Sequence, residues 1–163
     1  MRSFEIRIRT YLPAPQAWAR ILDLRAHDKL VPFTHIIEGA VPASELRPGH
    51  RFVACTRLGS GRVEGWFGFR RRLAFNDVMT FEEITPPTRF SPGHASIAKS
   101  GRFVLGSVAV TVSPRDGGSE VRWAQEFGLG RFGEPVTTVA AWAARAGYRA
   151  ILRRLLRHRP EQA

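Results

Sequence analysis

Cysteine is almost missing from this sequence: Cys55 is the single one in 163 residues. That excludes an intramolecular disulfide framework and any zinc site built on paired thiolates. Within the apolar run RFVACT, Cys55 reads as a small buried hydrophobe rather than a nucleophile. Lysine is nearly as scarce, with only Lys29 and Lys99 among 25 Lys and Arg. Long apolar runs are also lacking, and nothing approaches the ~20 apolar residues of a spanning helix. The opening MRSFEIRIRTYLPAP alternates charged and apolar residues and has no apolar core of a secretory signal, so the expectation is a cytoplasmic protein. The histidines His27, His35, His50, His94 and His158 are too scattered for a metal cluster, and GLGRFGEP follows a strand without the unit a phosphate-binding loop opens. No metal and no cofactor are expected.

What is there fits one folded unit. A chain of 163 residues with 44% hydrophobic and 24% charged residues can bury one core, and a single domain over residues 1–163 is expected. The formal charge of +11 points toward anionic partners. Its near-total reliance on arginine is equally what base composition of a genome produces, and both readings stand.

SFEIRIRTY alternates Phe4, Ile6 and Ile8 with Glu5, Arg7 and Arg9, the period of a strand with one covered face. LPAPQAWARILDLRAHDKL predicts a turn and a short helix, with Pro13 and Pro15 near its start. FTHIIEG, GHRFVACTRLG, NDVMTFEEI, GHASIAKSG, GSVAVTVSP and EVRWAQEFGLG then read as successive strands, the last two joined by the turn signal RDGGS. Short connections imply antiparallel pairing. A long helical pattern from about Gly133 to Arg159 closes the chain, giving an α+β arrangement in which helix covers sheet.

On a helical wheel starting at Val136, residues Val139, Ala140, Ala143, Ala146, Gly147, Ala150 and Ile151 share a sector of about 140°. This small-residue face is expected to be the buried one. Two outcomes follow: close packing completed by Met79, Phe81, Trp123 and Phe127 of the sheet, or a ligand cavity between the layers. Arg145, Arg149, Arg153, Arg154, Arg157 and Arg159 exceed what the helix dipole asks for and either solvate the helix or meet anionic headgroups.

Four stretches carry a family resemblance in order: PAPQAWARILDLRAHDKLVPF, LRPGHRFVACTRLG, FNDVMTFEEITPPTRF and GSEVRWAQEF. With them the chain resembles the START-like (SRPBCC) superfamily of polyketide cyclases, dehydrases and lipid-transport proteins. The resemblance implies a helix-grip fold, a curved antiparallel β-sheet wrapped around a long C-terminal α-helix, with an apolar cavity between them. The stretch GSGRVEGWFGFRRRLAF departs from that pattern by its length. Its Trp66, Phe67 and Phe69 precede Arg70, Arg71 and Arg72, which suits a membrane-facing loop at the cavity mouth and equally a hairpin packed back on the sheet.

The expected function is binding or transport of a hydrophobic small molecule, such as a lipid, isoprenoid or aromatic polyketide. Its cavity is expected to involve Met79, Phe81, Trp123, Phe127, Val139, Ala143, Ala146, Gly147 and Ala150. The alternative is a polyketide cyclase or dehydratase working by acid/base chemistry in the same cavity. His35, Asp77, Arg89, His94 and Glu126 are the candidate groups, with His35 and His94 placed first. For each a structural role is also open: Asp77 as a turn residue opening a strand, Glu126 on an outer face, Arg89 in a loop. Peripheral contact with an anionic membrane is a further expected partnership. A nucleic-acid module has only the charge in its favour, and oligomeric state is left open.

Overall fold

The computed structural model describes residues 2–31, 34–58, 73–100, 104–129 and 134–157. Seven strands form one sheet: β1 (Arg2–Thr10), β2 (Thr34–Glu38), β3 (Arg51–Leu58), β4 (Leu73–Thr85), β5 (Gly93–Ser100), β6 (Val104–Arg115) and β7 (Gly118–Leu129). Their order is β1-β7-β6-β5-β4-β3-β2, and every pairing is antiparallel. Strands β2 to β7 pair as consecutive neighbours, whereas β1 crosses to the far side to pair with β7, setting Ile6 opposite Trp123.

The period-2 alternation decides which side is the core. Phe4 and Ile6 of β1, Ala95 and Ile97 of β5, Val108, Val110 and Val112 of β6, and Val121 and Trp123 of β7 are all buried on one face. Register shifts between Phe81 and Glu83 in β4 and between Ile36 and Glu38 in β2 mark irregularities of the bulge kind, which bend the strands that carry them. At the end of β2, Gly39 turns the chain with φ +74, where a Cβ would run into the backbone of Arg51 and Phe52.

The expected single helix after β1 is two: α1 (Ala14–Ile21) and α2 (Leu24–Leu30). Asp23 separates them, because its side chain accepts from the backbone N–H groups of Arg25 and Ala26 and so caps α2. Both helices face the sheet through Ala14, Ala17, Trp18, Ile21, Leu22 and Leu24.

The long helix α3 (Glu134–Arg157) forms where expected, and its described C-terminal half, from Arg145 to Arg157, turns the other side inward. In its described C-terminal half, Tyr148 is partly buried and Leu152, Leu155 and Leu156 are buried, a set at i, i+4, i+7 and i+8. Of the face expected to meet the sheet, Ala146, Gly147 and Ala150 are exposed and Ile151 is partly buried. The reason is area: burying a leucine contributes about 1.5–3 kcal/mol, against roughly 0.8 kcal/mol for a single methyl-sized group. Three leucines therefore outweigh three small residues and set the rotation of the helix. Arg145, Arg149, Arg153, Arg154 and Arg157 are all exposed. A cation from elsewhere caps the last turn: Arg20 of α1 donates to the Leu156 carbonyl at 2.5 Å. None of the described helices is long and apolar enough to cross a membrane.

A Cβ added at Gly147 would meet no atom of the described residues within 4 Å. Gly147→Ala is therefore expected to raise the unfolding free energy by about 0.5–1 kcal/mol, the cost of glycine within a helix. Urea denaturation reads this directly, and a loss of stability would show that the face is packed.

Candidate functional site

Beneath the α1–α2 connection, the core does not close completely. The sheet supplies Phe52 and Ala54 from β3, Asp77, Met79 and Phe81 from β4, Ile97 and Lys99 from β5, Val108 from β6 and Trp123 from β7. Ile21, Leu22, Leu24 and His27 line the opposite wall, β2 adds Thr34 and Ile36, and Tyr148 of α3 closes one side. The space is about 120 Å³. One water needs roughly 10–15 Å³, so the space is large enough for a small guest rather than a single water. Trp123 and Tyr148 stack with ring centroids 5.6 Å apart, and Phe4 stands 6.1 Å from Tyr148.

Two charges sit in this apolar setting. Asp77 and Lys99 are both buried, with Lys99 Nζ 3.6 Å from Asp77 Oδ2 and 6.0 Å from the centre of the Tyr148 ring. At 3.6 Å the two attract as ions but fall outside hydrogen-bond range. The other carboxylate oxygen, Oδ1, is buried and has no hydrogen-bond partner among the described residues. Burial pushes the Asp77 carboxyl above its ordinary value, and the neighbouring Lys99 ammonium opposes that rise without cancelling it. His27 is the third polar group. Its Nε2 lies 2.7 Å from the Ile21 carbonyl, which can only accept, so Nε2 carries the proton. Burial lowers its pKa below the ordinary 6.5, leaving the ring neutral at pH 7.

The residues expected at the site divide sharply. Met79, Phe81 and Trp123 line the cavity, and so does Asp77, inside its strand rather than at a turn. His35 and His94 do not: both are exposed, with His35 Nδ1 3.4 Å from Asp28 and His94 Nδ1 3.5 Å from the Thr111 hydroxyl. Each occupies the outward position of its strand, next in sequence to an inward residue. Glu126 is exposed, and Arg89 lies in a loop with its guanidinium 5.7 Å from the Phe90 ring centre. Ala146, Gly147 and Ala150 are exposed and are not part of the lining. The side chains of Phe127, Val139 and Ala143, and the whole of Trp66, Phe67, Phe69, Arg70, Arg71 and Arg72, lie outside the described residues.

Lys99 and His27 also line the cavity and are not among the residues expected there. The signal for Lys99 was present: GHASIAKS places it in phase with Ala95 and Ile97, on the apolar face. Asp77 is likewise in phase with Met79 and Phe81. For His27 no periodic signal exists, because α2 has only seven residues.

A family model described as "Polyketide cyclase / dehydrase and lipid transport" matches residues 1–158. No curated protein matches the sequence. In fold the chain is similar to a conserved protein from Geobacillus kaustophilus, with TM-score 0.59 and 13% identity over 95% of this chain and 94% of that one. It is similar to Ara h 8.0201, with TM-score 0.57 and 17% identity over 96% and 99%. The AHSA1-like protein from Aeromonas hydrophila gives TM-score 0.56 and 17% identity over 99% and 100%. At these identities the likeness concerns the fold alone.

The buried pair generates a stability test. Asp77→Ala leaves the Lys99 ammonium uncompensated and is expected to cost about 3–5 kcal/mol, whereas the double variant Asp77→Leu/Lys99→Met is expected to be as stable as the native protein or more so. The pH dependence has a definite sign. Because the folded-state pKa of Asp77 is raised, its favourable contribution is complete below the unfolded value near 3.8 and is lost as pH rises through the folded value. The double variant, lacking that loss, gains on the native protein in denaturant titrations as pH rises above the unfolded value of Asp77.

Proposed function

The chain belongs to the polyketide cyclase / dehydrase and lipid transport family, and from that premise we propose that it binds a small hydrophobic molecule between sheet and helices. The observation that carries this reading is the cavity itself: an apolar, aromatic-walled space that the surrounding core leaves unfilled. Its aromatic and apolar lining suits an aromatic polyketide fragment or a short isoprenoid. Apolar burial, at about 25 cal/mol per Å², supplies the affinity, and the Trp123–Tyr148 stack offers a flat wall for a planar ring.

A second reading, acid/base catalysis on a polyketide in the same space, draws on one specific observation. Asp77 is a cavity carboxyl with a raised pKa, the adjustment a general acid or base needs near neutral pH. In that reading Asp77 takes the place first given to His35 and His94, and Lys99 holds its orientation.

Ala54 is buried in the cavity wall, so Ala54→Phe projects a ring into the space. Calorimetric titration with naphthalene, an apolar aromatic guest, should show saturable binding to the native protein. The variant should weaken it at least tenfold while remaining folded by circular dichroism. Absence of binding, or binding unchanged by Ala54→Phe, would overturn the proposal.

A further inference from the structure

We propose that Asp77 and Lys99 form a two-point anchor that selects guests bearing a hydroxyl group, so that the ligand class is a neutral hydroxylated ring of phenol or naphthol type. The inference rests on the cavity being a ligand site and goes on to say what it recognises.

Geometry supplies the first argument. Asp77 Oδ1 is a buried acceptor without a hydrogen-bond partner among the described residues, in a residue only 8% exposed. A buried carboxylate short of hydrogen bonds is expensive, and a guest that donates to it from the cavity both residues line offsets that cost. The ion pair does not use up the two groups, since 3.6 Å leaves Lys99 Nζ beyond hydrogen-bond range of Oδ2. A hydroxyl both donates and accepts, so one oxygen beside the pair can donate to Asp77 Oδ2 and accept from Lys99 Nζ, which stand 3.6 Å apart.

Charge supplies the second argument. Asp77 and Lys99 together are neutral, and the remaining lining is overwhelmingly apolar. A neutral guest adds no buried charge. A carboxylate guest meets Asp77 as a like charge, and an ammonium meets Lys99 in the same way. The polar anchor lies beside the aromatic wall, because Lys99 Nζ stands 6.0 Å from the centre of the same Tyr148 ring that stacks on Trp123. A planar ring against that wall presents its edge substituent to the pair.

Sites that recognise a hydroxyl through buried polar groups discriminate strongly against the analogue lacking it. The test is calorimetric titration of the intact protein with 2-naphthol, naphthalene and 2-naphthoate. The expected result is 2-naphthol binding at least tenfold more tightly than naphthalene, with 2-naphthoate the weakest. In Asp77→Leu/Lys99→Met, which keeps an apolar wall, the expected ratio falls to one or below while naphthalene still binds. Equal affinities for 2-naphthol and naphthalene in the native protein overturn the anchor and leave the cavity reading standing. A preference that persists in the double variant overturns the assignment to these two residues. Failure of all three probes to bind overturns the cavity reading and the anchor with it. Thermal denaturation of the double variant confirms that the comparison is made on folded protein.

Discussion

Strands β1 and β2 are consecutive in sequence and stand at opposite edges of one sheet. Everything else follows from that separation. Six inter-strand spacings of about 4.8 Å put the two edges about 29 Å apart along a flat sheet. The connecting stretch, with helices of eight and seven residues, offers roughly 12 and 10 Å of helix. Neither helix crosses the sheet alone, and the break at Asp23 lets the pair bend across it. The result is a roof over the apolar face. With the roof in place α3 has only to seal one side, which it does with Tyr148 and three leucines.

The strands were legible because each carries its own evidence: alternation within, turn residues between, and an RDGGS hairpin whose ends are observed at Arg115 and Gly118. The α+β class and the C-terminal helix followed from the same local signals. The face of α3 did not, because both sides of that helix hold uncharged residues and the choice between them depends on what it packs against. The small face runs along its whole length, while the large residues cluster near its end. Counting residues favoured the first; weighing buried area favours the second.

The site was half legible for a related reason. Met79, Phe81 and Trp123 are large and apolar, and their inward orientation follows from strand period. Asp77 and Lys99 obey the same period but are charged, and charge argues for the outer face when each strand is read by itself. Only when β4 and β5 lie side by side do the two become partners that make each other's burial tolerable. His35 and His94 show the converse: chemically versatile residues whose strand phase points them outward. In this fold the period of the strand is a better guide to the site than the reactivity of the side chain.

The pairing of β1 with β7 also has a consequence in time. Every other pairing among the described strands joins neighbours in sequence and can form as soon as its hairpin exists. Strand β1 is made first and meets its partner last, once residues up to Leu129 are available. An amphipathic strand with two open edges is the kind of segment that recruits other chains. The polar face of β1, Glu5, Arg7 and Arg9, puts charge along that strand. In the finished protein Glu5 pairs with Arg7 and Arg122, and Arg9 pairs with Glu120. The charges that pair across the completed sheet are the same ones that, on an unpaired strand, disfavour edge-to-edge association.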